Sequence, residues 1–525
     1  MLEPEPKTAP PLSLPSGSAT YRRLLTLALS ITLCLACTAD KPGNDASNSL
    51  NVVLITLDTT RADYLSSYGY AEITTPNLDR LAARGTRFEH AIATASVTPV
   101  SHAAILTGLD NHRHGLRVLS AAGGFRLDPE VPTLATLLQQ RGYSTVAVHS
   151  AFPVSAHFGL DQGFDIFDSF DATISVTEGE RVKHSWSQNQ FQRRSDETTD
   201  LLLEHLQGLD EPFLLWVHYW DPHDKGRLPP KEFLPDPVET SGSEDDDHPD
   251  AVEKRKRLYA AEIRYMDSQI GRLFDTLDER GLADTTMIFV VADHGQGLGD
   301  HHWNFHRLLY REQIQVPLIA TIPGHRQVPL VDALVRTVDI VPTVLDYLGI
   351  DADIRASGSS LRGLIEGETE PPRLAIADQI NGFDLNASMV EKRPLDDFLY
   401  SAIDLRWKLI YRPTHPDRSE LFDLDQDPDE RVNLFGQRPE QELRLLQELA
   451  RRRPWVLEPF APDEAADDLE AAQAALTALG YLGGSDTAVT ELDWEWFCPE
   501  RRDERHESPR DVECATPLVP VLAGR

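Results

Sequence analysis

Two acidic residues directly follow predicted buried strands, a placement that suits metal binding. Asp58 follows the apolar run 52–57, and Asp293 and His294 follow the run 287–292. Side chains that follow parallel strands reach the crevice at the carboxyl edge of a sheet, where ligands bind. A carboxylate beside an imidazole presents an oxygen and a nitrogen ligand together. An Asp in such a position also serves as a helix cap or turn residue, so no single cluster decides the function.

A third cluster, Thr98–Gly108, combines a hydroxyl group with the start of a helix. Thr98 suits the N-cap, Pro99 the first helical position and Gly108 the end of the helix, which is a complete structural explanation. A helix N-terminus also binds anions, and a hydroxyl placed there beside a metal can act as a nucleophile. His102 lies one helical turn later, where it could touch the same anion.

Further histidines extend the pattern. His218 and His223 follow the apolar run 213–217, with Asp221 between them, and His306 follows the Asp293 cluster. Histidine is suited both to proton transfer and to metal binding. Packing would explain one histidine, but three histidine-bearing clusters and a strand-end Asp indicate a functional site.

The elements that must position these residues alternate between strand and helix. Predicted strands are 52–57, 145–148, 212–218, 287–292 and 316–322, and predicted helices are 75–83, 132–140 and 260–281. This alternation predicts an α/β fold with a large, mostly parallel sheet and helices on both faces. The runs 398–403 and 407–411 predict antiparallel strands in a smaller C-terminal α+β domain. Residues 237–250 are predicted to form a solvated, mobile loop.

The composition is that of an acidic globular protein. Its 525 residues are 41% hydrophobic and 26% charged, and 50 Lys+Arg against 84 Asp+Glu give a formal net charge of −34. Nucleic acid is therefore a poor partner, because its phosphates need a cationic face. An anionic small substrate would need a local cation, and a bound metal is the most direct source.

The N-terminal residues indicate export. Arg22 and Arg23 precede an apolar run at 24–36, whose length suits a signal peptide and is too short for a membrane span. Ala36 before Cys37 resembles a bacterial lipoprotein cleavage site, which would place a lipid anchor on Cys37; an ordinary secretory peptide cut nearby is the alternative. We predict a signal peptide at 1–36, a linker at 37–50, and a protein that is anchored facing the periplasm or cell surface, or secreted.

Over most of residues 51–485 the chain resembles the sulfatase family of the alkaline-phosphatase superfamily, in family order. Asp58 resembles the first metal carboxylate, Thr98–Gly108 the nucleophile helix and Asp293–His294 the second metal pair. The other stretches that carry the resemblance are Thr75–Ala82, Gly142–Thr145, Gly163–Asp165, Asp221–His223, Asp339–Leu345, Leu421–Glu430 and Leu479–Leu482. The resemblance implies a catalytic domain at 51–370, a smaller subdomain at 371–485 and an acidic tail at 486–525. In an exported protein, Cys498 and Cys514 of that tail predict a disulfide.

The chain departs from the family at the nucleophile. Sulfatases carry Cys or Ser there, within Cys/Ser-x-Pro-x-Arg, and oxidise it to formylglycine; this chain has Thr98, and His102 in place of the arginine. Threonine cannot give the aldehyde, so no formylglycine is expected. The second carboxylate of the usual Asp-Asp pair is Thr59, and the lysine after the second metal pair falls on His306. A threonine ester is familiar for phosphoryl groups in this superfamily and is unfavourable for sulfate.

The resemblance implies a metal-dependent hydrolase of sulfate or phosphate esters. One divalent cation, expected to be Ca²⁺, would be bound by Asp58, Thr98, Asp293 and His294. Thr98 would attack the sulfur or phosphorus, and His223 or His218 would protonate the leaving oxygen. His102 and His306 would contact the anion. The substrate would be a sulfated or phosphorylated small molecule, glycan or lipid head group.

Two alternatives stay open at this point. One is a two-metal phosphodiesterase or phosphotransferase that uses Thr98, with a second Zn²⁺ or Mn²⁺ on Asp221, His223, His218 or His306. The other is a catalytically inactive relative that binds an anion or a glycan.

Overall fold

The computed structural model describes residues 50–71, 75–119, 126–168, 192–223, 228–235, 249–352, 354–383 and 387–452. Within them, eight strands form one large sheet. These strands are β1 (Asn51–Leu57), β2 (Thr86–Ile92), β3 (Ser144–His149), β4 (Ile166–Asp168), β5 (Phe213–Tyr219), β6 (Thr286–Ala292), β7 (Gln315–Thr321) and β8 (Leu330–Arg336). Their order is β4-β3-β5-β1-β6-β7-β2-β8, and neighbours are parallel except that β7 runs against both β6 and β2.

A second, smaller sheet follows in the chain. It consists of β9 (Ala375–Ile380), β10 (Phe398–Ile403), β11 (Trp407–Tyr411) and β12 (Glu420–Asp423), in the order β12-β11-β10-β9. All of its strand pairs are antiparallel. The predicted fold class, a mostly parallel sheet plus a smaller antiparallel part, is confirmed.

Eleven α-helices lie within the described ranges. They are α1 (Pro76–Arg84), α2 (Thr98–Thr107), α3 (Asn111–His114), α4 (Leu134–Gln139), α5 (Ser195–Gln207), α6 (Pro249–Glu279), α7 (Arg311–Ile314), α8 (Ile340–Tyr347), α9 (Arg362–Glu366), α10 (Ala387–Lys392) and α11 (Pro439–Arg452). In the part of the chain that the structure describes, no helix has both the length and the apolar character needed to cross a bilayer.

The three central strands are buried along their whole length. Every residue of β1, β5 and β6 is buried, which matches their nearly continuous apolar sequences. Such a pattern is typical of parallel strands that are covered on both faces. The polar residues that follow these strands are therefore held by a rigid core.

Some elements differ from the sequence prediction. The helix predicted at 260–281 begins earlier, at Pro249. Its first turns were not predicted, because they are charged and carry no apolar periodicity. β2 was not predicted, since Arg87, Glu89 and His90 interrupt its apolar positions and its register shifts between Phe88 and Ala91. The predicted loop 237–250, except for its last two residues, lies outside the described residues. So do the predicted signal peptide, the linker except for Leu50, the acidic tail and the Cys498–Cys514 pair.

Candidate active site

The central strands bring the predicted carboxylates to one edge of the sheet. β1 pairs in parallel with β5 on one side and with β6 on the other, and Leu57 is in register with Tyr219 and with Ala292. Asp58 and Asp293 therefore leave neighbouring strands at the same level. The backbone N–H of Asp58 donates to the Tyr219 carbonyl (2.8 Å), which fixes the start of the loop after β1.

Asp58 and Asp293 are both fully buried, and among the described residues each has one carboxylate oxygen without a hydrogen-bond partner. These oxygens are Asp58 Oδ1 and Asp293 Oδ2. The other oxygens are bound: Asp58 Oδ2 lies 3.2 Å from His218 Nε2, and Asp293 Oδ1 accepts the N–H groups of Thr59 (3.0 Å) and His294 (2.7 Å). An uncompensated buried carboxylate oxygen is unfavourable unless a cation or a donor faces it.

The pKa values of both carboxyl groups reflect this environment. Burial raises the pKa of Asp58 well above its ordinary value, and the charge of Asp293 raises it further. Burial raises the pKa of Asp293 to about 8. Two adjacent carboxyl groups that resist ionisation are the electrostatic signature of a site whose counter-charge is a bound cation or a proton.

Thr98 is the first residue of helix α2, and its hydroxyl faces the site. The sequence suggested that Thr98 caps the helix, but Val97 precedes the first turn and no side chain caps it. Instead, Thr98 Oγ1 lies 3.3 Å from His294 Nε2. The whole of α2 is buried, and the hydroxyl lies at the helix N-terminus, where anions bind.

His294 presents a lone pair to Thr98 and Asp293. Its Nδ1 lies 2.9 Å from the Gly295 carbonyl, which can only accept, so the proton of the neutral ring is on Nδ1. Nε2 is then unprotonated, and it lies 3.4 Å from Asp293 Oδ2. Burial lowers the pKa of His294 to about 4, which keeps the ring neutral near pH 7. An imidazole lone pair facing a carboxylate oxygen is an arrangement that a metal ion stabilises.

His102 lies on the same side of α2 as the Thr98 carbonyl. Its Nδ1 lies 2.8 Å from that carbonyl and 3.6 Å from Asp293 Oδ2, while Nε2 is buried without a partner among the described residues. Burial lowers the pKa of His102 to about 3. The ring is therefore neutral, and it does not carry the positive charge of the arginine that it replaces.

His218 supports Asp58. Its Nδ1 accepts the Ser150 N–H (3.4 Å), so its Nε2 proton is directed to Asp58 Oδ2. Burial lowers the pKa of His218 well below the ordinary value. Because its one proton is bound to a carboxylate, His218 is placed to orient Asp58 rather than to protonate a leaving group.

His306 and His223 lie on the other side of His294. The His306 ring is 4.8 Å from the His294 ring and 5.6 Å from the His223 ring, and its Nδ1 lies 2.8 Å from the Ser96 carbonyl. His223 stacks on Trp220 with ring centres 4.0 Å apart and is partly exposed. His223 is therefore the histidine of this group that meets solvent.

Asp221 is bound to the first residue of helix α5. Its Oδ1 accepts the Ser195 N–H (3.1 Å) and its Oδ2 accepts the Ser195 hydroxyl, so it holds the first residue of α5. The structure thus brings His223 and His306 together, whereas the Asp221 carboxylate contacts Ser195.

The donor set suits a divalent cation. The site combines two buried carboxylate oxygens that have no partner among the described residues, one imidazole lone pair and the Thr98 hydroxyl. All of these are ligand types for such ions. Within the described ranges, however, no group of three or more His, Cys, Asp or Glu side chains already stands as a metal shell. The two buried carboxylate oxygens without a partner among the described residues are the atoms here that a cation would satisfy.

Two residues near the site were missed from the sequence. His149, at the end of β3, is fully buried and in register with His218. It directly follows the predicted strand 145–148, which is the same signal that singled out the other candidate ligands. Arg307 follows His306, and its charge contributes to the lowered pKa values of His294 and His306. It places a cation near the site, and only its adjacency to His306 could have indicated this.

Comparison with known proteins identifies the family of this chain. Residues 50–350 match the family model Sulfatase, and residues 299–453 match the model N-sulphoglucosamine sulphohydrolase, C-terminal. An arylsulfatase of Clostridium perfringens is 26% identical over 454 residues, which cover 74% of this chain and 90% of that protein.

Solved structures share the fold. One, determined in complex with its substrate D-glucosamine-2-N,6-O-disulfate, has a TM-score of 0.62 and 21% identity and covers 77% of this chain and 97% of its own. A phosphonate monoester hydrolase of Agrobacterium radiobacter has a TM-score of 0.59 and 22% identity, and covers 77% and 95%. The Sulfatase model spans more than half of the 525 residues, and the relatives that match in sequence include sulfatases, which supports ester hydrolase activity. The chain belongs to the sulfatase family.

Proposed function

We propose that this protein is an exported, cation-dependent hydrolase of sulfate or phosphate esters that uses Thr98 as its nucleophile. The observation that carries the proposal is the position of Thr98 Oγ1, 3.3 Å from the His294 lone pair and at the N-terminus of a buried helix. Two serine hydroxyls nearby are bound to the fold: Ser101 Oγ donates to the Ala95 carbonyl (2.9 Å) and Ser96 Oγ to the Leu308 carbonyl (2.7 Å).

Asp58, Asp293, His294 and the Thr98 hydroxyl would bind the cation. When bound, the cation would lower the cost of ionising the Thr98 hydroxyl and neutralise the charge of the ester. Ca²⁺ suits the carboxylate oxygens, whereas the imidazole ligand also suits Zn²⁺ and Mn²⁺.

The residues of the chain carry the reaction in two steps. Thr98 loses its proton to solvent, and its oxygen attacks the sulfur or phosphorus in line while the bond to the leaving oxygen breaks. His223, the partly exposed histidine, donates a proton to that oxygen. Water then cleaves the Thr98 ester, because Thr98 has one hydroxyl and cannot expel the acid itself. This course favours phosphate over sulfate esters.

The anionic substrate is supported by the relatives and by the local charges. The similar structure with a bound disulfated glucosamine holds an anionic ester. In this chain, Arg307 and the N-terminus of α2 are sources of positive potential near Thr98. A sulfated or phosphorylated small molecule, glycan or lipid head group fits these features.

A paired turnover assay tests the proposal. Purified protein would be given an aryl sulfate, an aryl phosphate monoester and an aryl phosphodiester, each with Ca²⁺, Mn²⁺ or Zn²⁺. We expect phosphoester turnover that is lost in Thr98→Ala and kept in Ser101→Ala, which changes the next hydroxyl of the same helix. Turnover that survives in Thr98→Ala would contradict the assigned nucleophile.

Export is a separate part of the proposal and rests on the N-terminal sequence alone. Arg22 and Arg23, the apolar run 24–36 and Cys37 support cleavage and lipid attachment at Cys37. Labelling with radioactive palmitate in a bacterial host tests this. We expect label on the wild-type protein and none on Cys37→Ser; a labelled Cys37→Ser protein would contradict it.

A further inference from the structure

Helix α6 contacts the backbone of the loop after β1. The buried Tyr259 hydroxyl accepts the N–H of Arg61 (2.8 Å) and donates to the carbonyl of Thr59 (2.6 Å). One side chain therefore fixes the backbone of the loop at two points, directly after Asp58.

The fixed segment contains a backbone conformation that threonine rarely adopts. Thr59 has φ 47°, in the left-handed region that favours glycine, and surrounding contacts must hold it there. In this conformation the Thr59 N–H donates to Asp293 Oδ1 (3.0 Å). The peptide groups of Thr59 thus connect Tyr259 on one side to the Asp293 carboxylate on the other.

Arg61 joins the same loop to the loop that follows β6. Its Nη1 donates to Asp300 Oδ2 (2.7 Å) and to the Gln296 carbonyl (3.2 Å), while its Nε and Nη2 donate to Asp63 (2.8 and 2.6 Å). Its side chain is only 8% exposed. Asp58 and Asp293 belong to these two loops, so Arg61 constrains the distance between them.

We propose that Tyr259 and Arg61 are positioning residues that hold Asp58 and Asp293 at the separation that a bound cation requires. The inference rests on the proposed cation-dependent function. Tyr259 and Arg61 act through the loop backbone: Tyr259 through Thr59, and Arg61 by tying the loop after β1 to the loop after β6.

Tyr68 offers a matched control for Tyr259. Its hydroxyl also joins two backbone groups: it accepts the Leu318 N–H (2.9 Å) and lies 3.1 Å from the Phe88 carbonyl. Those groups belong to β7 and β2, away from Asp58 and Asp293. Tyr68→Phe and Tyr259→Phe therefore remove the same kind of contact in different places.

The experiment is calorimetric titration of the chelator-treated full chain with CaCl₂, MnCl₂ and ZnCl₂ separately. For the cation that wild-type protein binds, we expect Tyr259→Phe to bind about 10- to 100-fold more weakly, as is typical when a residue that orients metal ligands is changed. Tyr68→Phe should bind like wild type. Saturating cation should restore kcat in Tyr259→Phe, with KM for the ester unchanged.

Arg61→Lys is the second variant, since lysine keeps the charge but cannot make the forked contacts. It should also bind the cation more weakly, and thermal unfolding shows whether each variant is folded. Wild-type affinity in folded Tyr259→Phe and Arg61→Lys would overturn this inference and leave the proposed function standing. Absence of binding by wild-type protein would overturn both.

Discussion

At the scale of single residues, the energetics of this site depend on two buried carboxyl groups. Asp58 and Asp293 repel each other in the cation-free protein, and burial raises both pKa values. The same pair becomes favourable when a divalent cation lies between them. At these two positions, therefore, the carboxyl groups that favour the proposed cation binding lower the stability of the cation-free protein.

Asp293→Asn tests this opposition. Asparagine can still accept the Thr59 and His294 N–H groups, so the loop should keep its shape. In chelator the midpoint of thermal unfolding should stay the same or rise, whereas the increase caused by added cation should be lost. Turnover should fall by about 10³-fold, because several kcal/mol of charge stabilisation disappears. Scanning calorimetry and a rate assay measure both effects.

Asp267→Asn is the control for that substitution. Asp267 is another buried carboxyl group with a raised pKa, about 6, and it accepts the N–H groups of Asn77 and Leu78 far from Thr98. Asp267→Asn should keep both the increase in the unfolding midpoint caused by added cation and the wild-type turnover. Full activity in Asp293→Asn would remove Asp293 from the site.

His301 links the loop after β6 to the segment after β12 through a protonation equilibrium. Its Nδ1 lies 3.1 Å from Glu312 Oε1, its Nε2 lies 3.0 Å from the Glu430 carbonyl, and its ring stacks on Tyr310. Burial lowers the pKa of His301, but the hydrogen bond and charge of Glu312, together with Glu430, outweigh it and leave the pKa raised.

A raised pKa in the folded state gives stability that depends on pH in a definite direction. The contribution is complete below the unfolded value, about 6.5, and is lost as pH rises through the higher folded value. His301→Gln should therefore lower the free energy of unfolding by about 1–2 kcal/mol at pH 5.5 and by less at pH 9. Urea denaturation at the two pH values measures this.

The half-buried pair of His325 and Glu366, 3.4 Å apart, provides the comparison for His301. His325→Gln should cost less than about 1 kcal/mol, because such partly solvated pairs contribute little. An equal loss at pH 5.5 and pH 9 in His301→Gln would show that packing on Tyr310, and not the charge, is what His301 contributes.

The sequence predicted most of the candidate site residues but not their contacts. Asp58, Thr98, Asp293 and His294 follow strands or begin a helix, and the structure brings them together. The direction of the His218 proton depends on a backbone amide far away in the chain, the Ser150 N–H that faces its ring. No local pattern carries that information, so the sequence could not distinguish His218 from His223 as the candidate acid.

At the scale of elements, helix α2 must be placed accurately because it carries Thr98. The helix ends at Gly108, which has φ 70°. A Cβ at this position would meet Val341 Cβ at 3.1 Å and the Val338 carbonyl at 3.3 Å. Both the conformation and the close approach of α8 therefore require glycine.

Gly108→Ala should separate these two requirements when compared with Gly142→Ala. Gly142 has φ 84°, but a Cβ there meets nothing within 4 Å. We expect Gly142→Ala to lose about 1 kcal/mol from the positive φ alone, and Gly108→Ala to lose about 1–3 kcal/mol more from crowding. Only Gly108→Ala should also lower kcat. Equal losses would mean that α8 yields without disturbing Thr98.

Periodicity predicted the elements whose apolar residues are continuous or regularly spaced. β1, β5 and β6 were found for that reason, and β10 and β11 agree with the predicted bounds. β2 and the first turns of α6 were missed, because their stability comes from neighbours in space and not from their own sequence. The same reason explains why the antiparallel direction of β7 was not foreseen.

At the scale of the whole molecule, the net charge of the protein disfavours the approach of an anionic substrate. The formal net charge of −34 produces a negative potential that repels an anionic ester. The local cations, Arg307 and the proposed metal, act only over short distances. The long-range repulsion is screened by salt, whereas the contacts inside the buried site are screened much less.

Turnover should therefore increase with ionic strength over the low range. From about 0.01 M to 0.15 M NaCl the Debye length falls from about 30 Å to 8 Å. We expect kcat/KM for an anionic aryl ester to rise roughly two- to fivefold, through KM, with kcat unchanged. Steady-state rates at saturating cation measure this, with a potassium bromide series to exclude a specific effect of chloride. A steady decrease of kcat/KM with salt would show that attraction by Arg307 and the metal governs the approach of the substrate, and that the acidic surface lies too far from the site to matter.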